Sequence, residues 1–139
     1  MPITVTAPRG VLTPAGERAI LPRLTAELAR VSGLTGNAAF LAMIGGTVHV
    51  LEPGRVYGGG ENRPLVMVEL KLPDIGLGSV EQRAAFVAAA TDVVDELAVQ
   101  GHRREDTWVN VLNAPEGGWG IGGRAYTGQD LVAAISATA

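Results

Sequence analysis

Apolar residues along the chain follow two different periods, one typical of strands and one typical of helices. Residues 2–6 and 64–70 are rich in Val, Ile, Leu and Thr, which predicts a β-strand at each place. Each is followed by apolar residues at the 3.6-residue period of an amphipathic helix. Those helical positions are Ile20, Leu24, Leu28 and Val31 in the first half, and Phe86, Ala90, Val93, Val94 and Leu97 in the second.

Residues that favour helix ends flank both periodic segments. Thr13 precedes a proline at the first helical position and is a predicted N-cap. Ser79 and Gln82 have the spacing of a capping box. Gly33 and Gly101 lie just beyond the two segments, where a left-handed C-cap residue is expected.

A second strand is predicted after each helix, at residues 47–51 and 107–112. The chain therefore repeats a β-α-β unit, and Pro2 and Pro64 begin the two copies with an offset of 62 residues. Two such units, each with a right-handed crossover, make an α+β fold with one four-stranded sheet and both helices on one face. Because Val, Ile and Leu alternate with few charges on both faces of these strands, we expect the other face to pack against a neighbouring subunit.

The length of 139 residues suits one domain. A Gly-rich loop follows each unit, and Thr127 is placed to cap a last short helix over residues 129–135. Pro22 inside the first helix predicts a kink, and residues 34–46 show no clear pattern. The predicted domain, residues 1–139, comprises repeats at about residues 2–60 and 64–123 and a tail at residues 124–139.

The composition excludes several classes of protein. Hydrophobic residues make up 47% of the chain and charged residues 18%, which is too apolar for a disordered segment. A net charge of −3 without a basic cluster argues against nucleic-acid binding, and no apolar run has the length of a membrane span. No signal peptide is apparent and Cys is absent, which fits a cytoplasmic protein and excludes thiol nucleophiles.

Three features carry a resemblance to a known family. Pro2 directly follows the initiator Met, the β-α-β unit is duplicated, and residues 115–123 contain an aromatic residue followed by Gly-Ile-Gly-Gly. This combination resembles the tautomerase superfamily, in which such a turn lies near the end of 4-oxalocrotonate tautomerase subunits. Residues 48–59 and 108–110 are similar to the corresponding parts of the macrophage migration inhibitory factor branch.

The resemblance implies a fused two-unit subunit, a homotrimer whose sheets face a central axis, and a catalytic N-terminal proline. It also implies a small carbonyl or carboxylate substrate and no cofactor. Members of the superfamily interconvert keto and enol forms of 2-oxo acids, whereas other members hydrate and dehalogenate haloacrylates or decarboxylate malonate semialdehyde.

A terminal proline can act as an acid or a base only if Met1 is removed. Aminopeptidases usually remove Met before a small residue such as Pro2, and the proline nitrogen then becomes a secondary amine. The pKa of a terminal amine is near 7.7–8.0 in reference peptides, and burial or a nearby cation lowers it. A base whose pKa lies near the working pH is an efficient general base. If Met1 stays, that nitrogen is an amide, and Pro2 is only a residue at a strand edge.

The carboxylate-binding residues are where the chain departs from its relatives. Leu12 and Trp108 stand where the 4-oxalocrotonate tautomerase branch has Arg. Lys71, the only Lys of the chain, lies where the haloacrylate and decarboxylase branches place Arg, although an ordinary strand-end cation is an equal alternative. Arg55 and Arg124 lie beside the two Gly-rich loops; they could bind a carboxylate through paired hydrogen bonds or be solvated.

The remaining candidates are pocket and hydrogen-bonding side chains. Trp119 matches an aromatic residue that lines the site in relatives, so we expect a pocket wall. Trp108 and Asn110 alternate with an apolar residue and could share one face with Pro2, and Asn110 could donate to a substrate oxygen. Tyr57 is a candidate hydroxyl donor.

Other chemistries are less well supported. His49 and His102, without Cys or clustered carboxylates, do not predict a metal site, and the late Gly-rich turn opens no long helix as a dinucleotide-binding loop would. The leading hypothesis is a keto–enol tautomerase with Pro2 as general acid and base. The alternatives are a dehalogenase, hydratase or decarboxylase in which protonated Pro2 is the acid, and a trimeric binding protein without catalysis.

Overall fold

Residues 1–137 are described by a computed structural model, and their elements follow the repeated β-α-β pattern. Single-turn 3₁₀ helices at Pro53–Arg55 and Arg104–Asp106 precede two of the strands. In chain order the elements are β1 (Pro2–Pro8), α1 (Pro14–Val31), α2 (Ala38–Ala42), β2 (Gly45–Leu51), β3 (Tyr57–Gly58), β4 (Glu61–Asn62), β5 (Val66–Pro73), α3 (Val80–Leu97), β6 (Thr107–Ala114), β7 (Trp119–Ile121), β8 (Arg124–Tyr126) and α4 (Gly128–Ser136).

The four long strands form one sheet in the order β2-β1-β5-β6. β1 is parallel to β2, β5 is parallel to β6, and the two units meet through the antiparallel pair β1 and β5. The predicted α+β fold with a duplicated β-α-β unit is therefore confirmed. The central strands β1 and β5 are the first strands of the two units. Because they are antiparallel, β1 begins with Pro2 at one end of the sheet and β5 begins with Val66 at the other end.

Alternation along the strands builds one core between the sheet and the helices. Ile3, Val5, Val68 and Leu70 are fully buried on the face that meets α1 and α3. Each such aliphatic side chain contributes about 1.5–3 kcal/mol by burial. The helices supply the apolar positions that their period predicts, including the fully buried Ile20, Leu24, Leu28, Phe86, Ala90 and Val94.

The opposite face of the sheet is more polar than expected. Thr4, Glu69 and Asn110 lie next to one another across β1, β5 and β6 on this outer face. The expectation of apolar residues on both faces is wrong, because the period of two sends nearly every Val, Ile and Leu to the helices. Trp108 and Leu112 are the large apolar side chains of β6 on this face, with exposed fractions of 40% and 48%.

Both predicted N-caps and one of the two predicted C-caps agree with the sequence, but at Ser79 the cap is a single bond from the Gln82 N–H, without the reciprocal bond of a capping box. The Thr13 and Ser79 hydroxyls accept backbone N–H bonds in the first turns of α1 and α3, and Gly33 follows α1 with a φ of +71°. The prediction for Gly101 is wrong: α3 ends at Leu97, and the next residue is extended and pairs with Leu12. Pro22 lies within an uninterrupted α1.

Residues 34–46, which show no clear pattern, contain the short helix α2. The Asn37 side chain caps it by accepting the N–H of Phe40 at 3.0 Å. Phe40 is buried in the core, and the Asn37 amide donates to the carbonyl of Ile135 at 3.1 Å. Five residues are too few to show a helical period, so α2 depends on these tertiary contacts with α4.

Both Gly-rich loops form β-hairpins with two-residue turns. Gly59 and Gly60 join β3 to β4, and Gly122 and Gly123 join β7 to β8. All four have positive φ, between +61° and +85°, as a type I′ hairpin turn requires. The duplication therefore includes these hairpins, and α4 follows the second one with a complete capping box between Thr127 and Asp130.

Candidate active site

Pro2 is the first residue of β1, at one end of the central sheet. Its partner on β2 is Gly45. Pro2 is exposed, whereas the next residue, Ile3, is fully buried against the helices. The ring of Pro2 therefore lies on the outer face of the sheet, at the edge where chain ends and loops meet.

Sheet register brings Lys71 next to Pro2. Ile3 is paired with Leu70 in the antiparallel ladder of β1 and β5, so one step along that ladder sets Pro2 opposite Lys71. Both side chains point away from the helices, and such cross-strand neighbours have Cβ atoms about 4.5–5.5 Å apart. Leu112 of β6 is the partner of Lys71 on its other side. In this row of the sheet, Lys71 is thus the neighbour of Pro2, and Leu112 lies beyond Lys71.

A cavity of about 360 Å³ opens beside Pro2. Its far wall is the hairpin of β7 and β8, in which Trp119 is only 8% exposed. The ring of Trp119 packs edge-on against Tyr126, with centroids 5.5 Å apart. The cavity is lined by Met1, Pro2, Ala42, Met43, Ile44, Gly45, Gly46, Thr47, Trp119, Gly120 and Ile121.

Met1 is held in the structure rather than projecting from it. It is 6% exposed and belongs to the core cluster. The Met1 amine donates to the carbonyl of Met43, and the backbone N–H of Gly45 donates to the carbonyl of Met1 at 3.1 Å. Burial lowers the pKa of the Met1 amine from 8.0 to about 6, because desolvation disfavours the cation. Desolvation at this edge of the sheet therefore favours the neutral form of the Met1 amine.

Arg124 lies near the cavity but is already engaged. It is opposite Ile121 in the hairpin, its guanidinium lies 4.6 Å from the ring centre of Tyr126, and it forms an ion pair with Asp130 at 3.2 Å. The Thr127 backbone N–H, the Thr127 hydroxyl and Arg124 hold the pKa of Asp130 below its usual value. Arg124 thus joins the hairpin to the start of α4.

Arg55 and Tyr57 are not brought to Pro2 within one chain. They follow Leu51 at the end of β2, and Leu51 is the partner of Pro8 at the far end of β1. Tyr57 is 53% exposed there. Because β1 and β2 are parallel, these residues lie a whole strand length from Pro2.

Trp108 and Asn110 do lie on the same sheet face as Pro2, but in different rows. Asn110 is the partner of Glu69, and Trp108 is the partner of Met67, one row farther away. The indole N–H of Trp108 donates to the carbonyl of Glu105 at 3.2 Å. Asn110 is the nearer of the two, while Leu112, which the sequence did not single out, shares a row with Lys71.

A second cavity, of about 280 Å³, lies on the helix side of the same sheet edge. Sequence reasoning missed it, because its walls come from α2, α4 and the loop between β5 and α3, which are distant along the chain. Its lining is Met1, Ser32, Leu34, Phe40, Pro73, Ile75, Gly76, Leu77, Gln82, Leu131, Val132, Ile135 and Ser136.

Charged side chains are absent from the lining of both cavities among residues 1–137. The two histidines lie elsewhere and bond to threonine hydroxyls, His49 to Thr47 and His102 to Thr107. The described part of the chain brings no three His, Cys, Asp or Glu residues together as metal ligands. Within the same residues, no helix combines the length and hydropathy that a membrane crossing requires.

Comparison with known proteins identifies the fold. No protein-family profile and no curated protein matches the chain, but solved structures do. A fused 4-OT described as a symmetric trimer is 20% identical, with a TM-score of 0.74 over 94% of this chain and 98% of that chain. The macrophage migration inhibitory factor of Toxoplasma gondii is 16% identical, with a TM-score of 0.69 over 91% and 100% of the two chains.

A third solved structure represents another chemistry on the same fold. A member of the cis-3-chloroacrylic acid dehalogenase family is 16% identical, with a TM-score of 0.74 over 94% of this chain and 87% of that chain. At these identities the likeness shows the fold alone. The fold that the resemblance implies is therefore confirmed.

Proposed function

We propose that this protein is a cofactor-independent tautomerase that interconverts keto and enol forms of a small 2-oxo acid. The base is the free amine of Pro2 after removal of Met1. The observation that carries this proposal is the position of Pro2, which starts a central strand, lies opposite Lys71 and opens on the cavity walled by Trp119.

In this mechanism the nitrogen of Pro2 both removes a proton from the substrate and returns it. The neutral amine of Pro2 takes a proton from the carbon next to the carbonyl; the electron pair of that C–H bond becomes the C=C bond, and the π pair of the carbonyl moves to its oxygen as an enolate. The protonated Pro2 amine then gives its proton to that oxygen, which completes the enol, and the reverse sequence returns the keto form. The pKa of a terminal amine is near 7.7–8.0 in reference peptides, and a cation such as Lys71 in the same row lowers it, which supports a neutral Pro2 amine near pH 7.

Lys71 supplies the charge that a carboxylate substrate needs. Its ammonium group shares a row with Pro2, so it can hold the carboxylate beside the carbonyl and stabilise the enolate oxygen as charge develops. Within one chain, Leu12 stands where the 4-oxalocrotonate tautomerase branch has an Arg; it is 3% exposed in the core and supplies no cation. A single chain thus places one cation beside Pro2, which suits a monocarboxylate.

We also propose a homotrimer. The solved fused 4-OT is described as a trimer, and the outer face of the sheet in this chain is left uncovered with Trp108 and Leu112 about half exposed. In a trimer, Arg55, Tyr57 and Asn110 of one subunit can approach the site of the next, which would give these candidates a role that a single chain does not.

Activity with and without Pro2 tests the proposal. Intact mass first establishes that Met1 is gone, and ketonisation of phenylpyruvate and 2-hydroxymuconate is then followed by absorbance. Pro2→Ala also loses Met1 but carries a primary amine in place of the secondary amine of proline, so kcat should fall, by up to about 10²–10⁴, the usual contribution of a general acid–base group.

Pro64→Ala is the matched control for this variant. Pro64 is the exposed proline at the corresponding position of the second unit, but its nitrogen is an amide in every form of the chain. Activity of the Pro64 variant should equal wild type. Retention of Met1 in the active protein contradicts the amine mechanism, and equal rates for wild type and Pro2→Ala contradict a specific role for the secondary amine of proline.

A further inference from the structure

Met1 separates the two cavities at the edge of the sheet. It lines both of them, the cavity beside Pro2 on the outer side and the 280 Å³ cavity on the helix side. Its side chain is buried between them. Removal of Met1 takes away the residue that separates the two cavities. The amine of Pro2 then lies at the junction of two connected spaces.

The helix-side cavity is built from apolar walls. Phe40 of α2, Leu131 of α4 and Leu77 of the loop before α3 are each at most 5% exposed, and none of the lining side chains among residues 1–137 is charged. Its 280 Å³ is close to the lower limit of small-molecule pockets, about 300 Å³. An apolar group fits this lining, whereas a second carboxylate would be desolvated there without a partner.

The walls are fixed by specific bonds rather than by packing alone. The Asn37 amide joins α2 to α4 through the carbonyl of Ile135, and the guanidinium of Arg83 donates to the carbonyl of Leu77 at 2.9 Å. Leu77 has a φ of +48°, a left-handed conformation that costs a non-glycine residue about 1–2 kcal/mol. This loop is therefore held in shape at the cavity floor.

We infer that the substrate of this enzyme carries an alkyl chain, which extends from the reacting carbonyl at Pro2 into the helix-side cavity. The inference rests on the proposed function and narrows its substrate to 2-oxo acids with medium-length apolar chains. The carboxylate is then at Lys71, the carbonyl at Pro2, and the chain between Phe40 and Leu131.

Binding of unreactive acids tests the cavity independently of catalysis. Calorimetric titration of the mature protein with butanoate, hexanoate and octanoate should show about fourfold tighter binding for each added CH₂. Ile75→Trp, at the exposed rim of the cavity, should reduce the ratio of octanoate to butanoate affinity at least tenfold. Val80→Trp is the matched control, because Val80 is 68% exposed and lines neither cavity, and its ratio should equal wild type.

Catalysis gives the second part of the test. Exchange of the C3 hydrogens of 2-oxobutanoate, 2-oxohexanoate and 2-oxooctanoate in deuterated buffer should rise in kcat/KM with chain length, and octanoate should inhibit competitively. The inference is overturned if affinity or kcat/KM does not depend on chain length, or if inhibition by octanoate is not competitive. In that case, exchange of 2-oxobutanoate that depends on Pro2 still supports the proposed function. Absence of exchange with every acid, despite chain-length-dependent binding, refutes the proposed function instead.

Discussion

A single peptide bond decides whether Pro2 can act as a base. With Met1 attached, the nitrogen of Pro2 is an amide, and the terminal amine is the buried one that donates to the carbonyl of Met43. Without Met1, the amine is on the strand itself, opposite Lys71. A cation beside an amine lowers the pKa of that amine, so Lys71 favours the neutral form of Pro2.

Lys71 should determine affinity for carboxylate substrates. We expect Lys71→Gln to raise KM for 2-oxo acids about tenfold, since a hydrogen bond to a charged group contributes about 1.5–3 kcal/mol and the side chain is exposed. KM is measured from initial ketonisation rates at several ionic strengths, because salt weakens an exposed ionic contact.

Arg18→Gln is a suitable control for the loss of one positive charge. Arg18 is an exposed residue of α1, on the helix side of the sheet, and its removal should leave KM unchanged. An equal rise of KM in both variants would mean that overall charge, and not a contact with Lys71, attracts the substrate.

Among the elements, the second hairpin matters most for the site. β7 carries Trp119 to the cavity wall, and β8 is tied to α4 through Arg124 and Asp130. The turn between the strands consists of Gly122 and Gly123, both with positive φ. Its conformation therefore fixes the position of the tryptophan.

Gly123→Ala should weaken this hairpin. A Cβ at Gly123 meets no atom within 4 Å, so the expected loss of about 1–2 kcal/mol in the free energy of unfolding comes from the φ of +85° alone. Urea denaturation measures this loss. Gly54→Ala is the control, because φ is not positive there and the added Cβ also has open space; its free energy of unfolding should fall much less. Similar losses in the two variants would show that a side chain at Gly123 does not strain the turn.

Across the whole molecule, the uncovered sheet face predicts assembly. Light scattering should give about three times the 14.4 kDa of one chain. Leu112→Asp, which adds a charge to the outer face, should shift the mass toward one chain.

Val80→Asp is the corresponding control for assembly. Val80 is an exposed apolar residue at the start of α3, where an acidic residue is compatible with the helix dipole. Its mass should remain that of the trimer. A monomeric wild-type protein with full activity would exclude any role of neighbouring subunits.

The fold can be predicted from local patterns, because the strand period of two residues and the helix period of 3.6 residues are each visible within a single element. The strands, the two long helices, and the caps at Thr13, Ser79 and Thr127 follow from short stretches of sequence. The helix α2 and the helix-side cavity could not be predicted, since they depend on contacts such as that between Asn37 and Ile135, 98 residues apart.

The candidate site was predictable to the extent that it depends on strand register. Once β1 and β5 are paired, Lys71 must lie next to Pro2, and Trp119 follows from the hairpin after β6. Arg55 and Tyr57 were placed beside the site only because they flank a Gly-rich loop, and the parallel pairing of β1 and β2 carries that loop to the other end of the sheet.

The central claim is that neutral Pro2 is the base, and the pH dependence of kcat/KM tests it most directly. For the mature protein we expect kcat/KM to rise about tenfold per pH unit from acidic pH and to level off by about pH 8, because only the neutral amine accepts a proton, a terminal amine has a pKa near 7.7–8.0, and a neighbouring cation such as Lys71 lowers that value. A kcat/KM that instead falls as pH rises through this range would mean that protonated Pro2 is an acid, and would contradict the tautomerase mechanism.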